Sequence, residues 1–290
     1  MTRHWIIAGV GILAACVVGA FWVAQPKATQ ANEVTWDEQP VLARKTGYEL
    51  VWSDEFDAGA MPDPAKWDYD IDRNEAGWWN NEAQYYAFAR PENSRVEDGR
   101  LIIEARRDDV SGFADFGGQK YSSARLVTRG RAEWTYGFFD IRAKLPCGRG
   151  HWPAIWMLGT GQWPDTGEID IMESVGFEPT TIYGTAHSRH TVDTKSPKGN
   201  KVDIPTLCTE FHNYQLDWRP DSLTWLVDGK PFYRLDKPEN ADWKTWPYDG
   251  PEYLLLNVAV GGAWGGQQGI DDSAFPARME VDYVHVWQKQ

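Results

Sequence analysis

The stretch Gly167-Glu-Ile-Asp-Ile-Met-Glu-Ser174 sets Glu168, Asp170 and Glu173 among Ile169, Ile171 and Met172. The acids are spaced two and then three apart, and those spacings decide which element can carry them. On a helix, at 100° per residue, they would point to roughly 0°, 200° and 140° and would not converge. On a regular strand Glu168 and Asp170 share one face and Glu173 takes the other. One extra residue, at Ile171 or Met172, reverses the parity and returns Glu173 to the face of the first two. The stretch therefore reads as a bulged strand, with acids on one face and apolar side chains on the other.

The surrounding chain agrees with a strand. From Gly47 onward, short apolar or alternating runs are separated by turn residues. Tyr48–Trp52, Leu101–Ala105, Phe138–Leu145, Ile182–His187, His212–Trp218, Leu254–Val260 and Met279–Trp287 read as strands. Leu223–Val227 and Lys230–Leu235 flank Asp228-Gly229 and read as a hairpin, because Asp-Gly suits the positive φ of a type I′ turn. No amphipathic helical run of useful length and no internal repeat follows Gly47. Many short strands without strand–helix alternation predict an all-β sandwich or jelly roll.

The acids have a chemical use. Glu168 and Glu173 would have Cα atoms about 13 Å apart along the strand. On a concave face their carboxyls could close to about 5–6 Å, the spacing of a retaining glycosidase. Asp170 between them would hydrogen-bond one Glu and raise the pKa of the acid that must keep its proton. A calcium loop would favour Gly and Asn between its ligands, in place of Ile and Met. Like charges on one strand face are destabilising, so a purely structural role is poorly motivated.

Neighbouring strands extend the same face. In His151–Met157, Trp152, Ala154 and Trp156 fall together by period two, a shelf of two large rings around a small residue. Tyr183, Thr185 and His187 fall together likewise, and Asn257 interrupts the apolar run Leu255–Ala259. Three polar-aromatic faces beside an acid cluster predict one lined cleft.

The 290 residues carry a net charge of −13, which excludes a basic nucleic-acid-binding face. The 17 Trp and 12 Tyr exceed what a core alone would use and suit stacking on flat ligands such as sugar rings. Residues 1–31 read as a signal peptide or membrane anchor, since Ile6–Ala24 carries no charge. Leu13-Ala-Ala-Cys16 offers a third reading, a lipoprotein lipidated at Cys16. All three readings export the domain and engage a membrane at least during export. Residues 32–45 read as a linker and 46–290 as the folded domain, expected to be a monomer. Export permits a bridge between Cys147 and Cys208, but their separation along the chain leaves it open.

Together, the acid stretch, Lys144–Gly159 (KLPCGRGHWPAIWMLG) and Leu254–Gly266 (LLLNVAVGGAWGG) resemble glycoside hydrolase family 16, in particular its laminarinase-like endo-1,3-β-glucanases. The resemblance runs from Leu50–Asp57 to Val281–Gln288. It implies a β-jelly roll of two curved antiparallel sheets with a sugar chain in a concave groove. It also implies Glu168 as nucleophile, Glu173 as general acid/base and Asp170 as their assistant. Met172 would be the extra residue of the bulged branch of the family. Trp152, Trp156, Asn81, Arg125, His187 and Trp264 would line the groove. A structural calcium on Glu55, the Gly99 carbonyl and Asp282 would match many members, with no cofactor needed for the chemistry. The expected function is retaining hydrolysis of β-1,3-glucan. The alternatives are another β-linked polysaccharide (mixed-linkage glucan, agar or carrageenan), transglycosylation, or glucan binding without cleavage.

Overall fold

The computed structural model describes residues 47–289. The N-terminal readings, with Cys16, Ile6–Ala24, the linker and residue 46, lie outside the described residues. In chain order the strands are β1 (Tyr48–Asp54), β2 (Asp68–Tyr69), β3 (Gln84–Tyr86), β4 (Ser94–Glu97), β5 (Arg100–Arg107) and β6 (Tyr121–Ser123). They continue as β7 (Arg125–Val127), β8 (Gly137–Lys144), β9 (His151–Gly159), β10 (Glu168–Glu173), β11 (Thr181–His187) and β12 (Lys198–Asp203). The last are β13 (His212–Arg219), β14 (Ser222–Val227), β15 (Lys230–Asp236), β16 (Glu252–Val260) and β17 (Ala277–Lys289). Every strand expected from sequence is present within a residue or two at its ends. The α-helix among the described residues, α1 (Arg189–Asp193), is a short capped turn after β11.

Two sheets form a jelly-roll sandwich. A seven-stranded sheet runs β12-β11-β10-β9-β16-β7-β2. A ten-stranded sheet runs β15-β14-β13-β8-β17-β5-β6-β3, with β1 on β17 and β4 on β5. The sheets are antiparallel as expected apart from one pair, β3 and β6, which run in parallel. Both run the same way at the sheet end, where β3 joins after a long excursion rather than a hairpin.

The core fills the space between the sheets. Ile155, Met157, Ile169, Ile171, Met172, Leu254 and Leu256 from one sheet meet Ile103, Phe139, Ile141, Leu216, Trp225 and Val284 from the other. Alternation along each strand supplies these inward faces. The Asp228-Gly229 turn has φ values of 49° and 78°, as the hairpin reading required.

The bulge in β10 is present, but its extra residue differs from expectation. Against β9, Asp170 pairs with Trp156 and Met172 with Ile155, so Ile171 is left over. Against β11, Ile171 and Met172 together face Gly184, since Asp170 pairs with Thr185 and Glu173 with Tyr183. Both bulge side chains are buried in the core. The expectation of Met172 as the inserted residue is therefore corrected to Ile171 on the β9 side.

A residue from the opposite sheet closes the bulge. The Trp225 indole donates to the Asp170 carbonyl at 2.8 Å. A bulge breaks the ladder locally, and a buried carbonyl there needs a partner. Gly184 makes room, since a Cβ at that position would lie 2.5 Å from Trp225 Cδ1. The open cysteine question is also answered: Cys147, after β8, is bonded to Cys208, before β13, with Cα atoms 5.7 Å apart.

Candidate active site

Strand register assembles the site in rows. Glu173 aligns with Tyr183 on β11 and Ala154 on β9, Ala154 with Asn257 on β16, and Asn257 with Arg125 on β7. In the next row Asp170 aligns with Thr185 and Trp156. In the third, Glu168 aligns with His187 and Leu158. Directly opposed residues share a sheet face. The three acids, the Trp152–Ala154–Trp156 run and the Tyr183–Thr185–His187 run therefore occupy one face, turned away from the core.

The charges on that face are unbalanced. Asp170 is buried, and its Oδ2 lies 3.2 Å from His187 Nε2. Burial opposes the imidazolium, but the bond to Asp170 and the charges of the three acids raise it to about 9. Burial pushes the Glu168 carboxyl up to about 8; Asp170 adds to the rise, while His187 and Trp163 oppose it. Burial and then Asp170 push Glu173 well above the usual carboxylate range, opposed by the Trp152 indole 3.0 Å from its Oε1. Three acids thus face one cation, and a retained proton relieves the surplus.

This predicts a pH response. Asp170 is, after burial, the main cause that raises both glutamates. Asp170→Asn removes that charge, so both carboxyls release their protons at lower pH. Both limbs of the kcat/KM–pH profile are expected to move toward acid. An unmoved or alkaline-shifted profile would contradict the assignment of cause.

The expected groove residues fall into two groups. Trp152 meets Trp264 edge-on at 5.4 Å, and Trp264 meets Tyr183 at 4.8 Å, which walls the Glu173 end. Trp156 donates to Asn257 Oδ1 at 2.7 Å and carries the Arg125 guanidinium 4.5 Å from its ring centre. The shelf read from sequence is therefore shared: one ring supports an acid and the other supports Arg125. Asn81 stands apart. It is exposed in the turn before β3 and lines a hollow of about 460 Å³ with Ala83, Gly261 and Gly262.

Sequence reading missed several groups. Trp163, in the β9–β10 loop, donates to Glu168 Oε2 at 2.5 Å. Glu252 is buried at the start of β16, and among the described residues neither carboxylate oxygen has a hydrogen-bond partner. Burial, with Glu168 and Asp170, pushes its carboxyl well up. A lone Glu before an apolar strand was the available signal. Glu82 is raised by burial, while Gln84 and Arg125 counter this; its signal was its place beside Asn81.

In the expected calcium set both carboxylates have protein partners. Asp282 pairs with Arg142 at 2.5 Å, and Glu55 meets His285 Nε2 at 2.7 Å. Their carboxylates are engaged by protein partners, a poor fit to a site that must offer free oxygens. Gly99 belongs to a tight turn between β4 and β5, with φ of 71°. The acidic group that does converge is Glu168, Asp170 and His187, with one ligand atom of each within 4.8 Å. His187 holds a proton there, which disfavours metal ligation.

Two carboxyls across a bulge, with a third between them and aromatic walls around them, define a paired-carboxylate site for cleaving glycosidic bonds. The chain belongs to glycosyl hydrolases family 16, whose family profile matches residues 81–285. A beta-glucanase of Rhodothermus marinus is 53% identical over 83% of this chain and 85% of its own length. The crystal structure of SCLam, a non-specific endo-beta-1,3(4)-glucanase of this family, aligns with a TM-score of 0.83 and 52% identity, covering 84% of this chain and 92% of that one. A mutant of SCLam, solved with a 1,3-beta-D-cellobiosyl-glucose at its active site, aligns with a TM-score of 0.81 and 51% identity, covering 83% and 95%.

Proposed function

We propose that this protein is a retaining endo-hydrolase of β-1,3-glucan. The observation that carries the reading is the β10 bulge, which sets Glu173 on the face of Glu168 and Asp170. The similarity to the Rhodothermus marinus beta-glucanase and to the SCLam endo-beta-1,3(4)-glucanase supports the substrate class.

We assign the roles as follows. Glu168 is the nucleophile: burial and then Asp170 raise its carboxyl to about 8, the imidazolium and the Trp163 N–H oppose the rise, and the ionised form that attacks grows as pH approaches that value. Glu173 keeps the proton and is the general acid. In the first step a Glu168 oxygen bonds the anomeric carbon, the bond to the leaving oxygen breaks, and Glu173 protonates that oxygen. Esterification removes the Glu168 charge, which lowers the proton affinity of Glu173 and turns it into a base. Glu173 then takes a proton from water as the water oxygen bonds the anomeric carbon and the ester bond breaks. Asp170 anchors His187 and couples the two glutamates. No metal ion or cofactor is needed for these steps.

Export of the domain belongs to the same proposal. The Cys147–Cys208 bridge supports an oxidising compartment. The mass of the mature protein distinguishes a cleaved signal, a lipidated Cys16 and a retained span, and its hydrodynamic size tests the monomer.

The substrate reading is tested by incubating the protein with laminarin, mixed-linkage β-glucan, agarose and κ-carrageenan and measuring reducing ends. Release from laminarin is expected. Release only from a galactan would overturn the glucanase, and release from none would overturn the hydrolase.

A further inference from the structure

We propose that Trp79, backed by the guanidinium of Arg73, is a stacking platform that adds a distal subsite to the groove and takes a glucosyl residue of the bound glucan chain. The proposal rests on the glucanase reading and names a determinant of chain-length preference within it.

Trp79 is 64% exposed, the most of any large hydrophobic side chain among the described residues. It is also held in place. The Arg73 guanidinium carbon lies 3.9 Å from its ring centre, and Arg73 Nε donates to the Gly77 carbonyl at 3.0 Å. A guanidinium stacked on one face of an indole leaves the other face to solvent. A flat, pre-oriented, half-covered indole can pack against the apolar face of a pyranose at little entropic cost.

The turn that carries Trp79 is tied to the groove on both flanks. Trp78, next to it, is buried edge-on against Tyr86 at 4.7 Å, and Arg125 lies 5.3 Å from its ring centre. Tyr86 in turn accepts from Asn257. On the other flank the Asn80 carbonyl accepts from Ala263 N at 2.6 Å, within the loop that presents Trp264 to Trp152. Asn80 and Asn81 adopt φ values of 57° and 56°, which suit Asn and turn the chain sharply.

Position sets the rank of the subsite. Arg125 on β7 lies three strands from Glu173 on β10, about 14 Å at the usual strand spacing. Trp79 follows Trp78, whose ring lies 5.3 Å from that guanidinium, which puts the turn at the same end of the groove. A pyranose unit spans about one strand spacing, so this platform meets roughly the third or fourth sugar from the cleaved bond.

The test is a series of β-1,3-gluco-oligosaccharides from trisaccharide to heptasaccharide, with kcat/KM measured for wild type, Trp79→Ala and Trp79→Phe. Trp79→Ala is expected to lower kcat/KM about three- to tenfold on the longest substrates and to leave the trisaccharide unchanged. Trp79→Phe should recover most of the loss. An equal loss at every length, or no loss at any length, would overturn the subsite while leaving the glucanase intact. No cleavage of any member by the wild type would overturn both.

Discussion

Glu168→Gln is expected to lose more than a thousandfold in kcat while still binding glucan, because no carboxylate remains to form the glycosyl ester. The same substitution is expected to stabilise the protein, and the sign follows from linkage. Burial and Asp170 hold the Glu168 carboxyl at about 8, above its ordinary 4.5. Below both values the folded and unfolded states carry the proton alike. As pH rises from about 4.5 toward 8, the unfolded chain releases it while the folded protein retains it, and folding loses stability throughout that window. Glutamine removes this penalty. At pH 8 the gain is on the order of 2 kcal/mol, discounted because the carboxyl is partly open to water. For a domain of this size that raises Tm by about 4–8 °C. Thermal melts at pH 4 and pH 8 check it: the gain should be small at the first and full at the second. A variant that keeps activity would remove Glu168 from the nucleophile's role, and a variant melting lower at pH 8 would refute the electrostatic account.

Gly184→Ala is expected to damage the site from its core side. The new Cβ would lie 2.5 Å and 2.9 Å from two Trp225 ring atoms and 3.0 Å from Phe232 Cζ. Trp225 is buried, and its N–H is committed to the Asp170 carbonyl. Displacing the ring either strains the backbone or breaks that bond. Overpacking costs about 1–3 kcal/mol, and an unpaired buried carbonyl adds about 1–3 kcal/mol. The carbonyl opens the bulge, so kcat should fall together with stability although Gly184 touches no substrate. Chemical denaturation and kcat/KM on laminarin measure both. Wild-type values in both would refute the role given to Trp225.

These two outcomes divide the molecule by what each part depends on. The first concerns a feature legible in sequence. Glu168, Asp170 and Glu173 could share a face only through a parity change, and period two also grouped Trp152 with Trp156 and Tyr183 with His187. Side-chain alternation is local, set by backbone geometry over neighbouring residues, so a short stretch of sequence suffices to read it. The Asp228-Gly229 turn was legible for the same reason.

The second concerns what only tertiary structure decided. Whether Ile171 or Met172 is the inserted residue depends on the register of β10 against β9 and β11, and either choice gives the same faces from sequence alone. The closure of the bulge by Trp225 joins residues 55 positions apart in opposite sheets. Trp163 reaches Glu168 through a loop whose path no periodicity describes, and the Cys147–Cys208 bridge depends on a distance between two connections. The resemblance pointed to Glu55 and Asp282 as calcium ligands, but neighbouring strands supply His285 and Arg142 to occupy their carboxylates. Alternation determined which face carries the acids; packing between the sheets determined how the bulge is held and which neighbours set the charge on each acid.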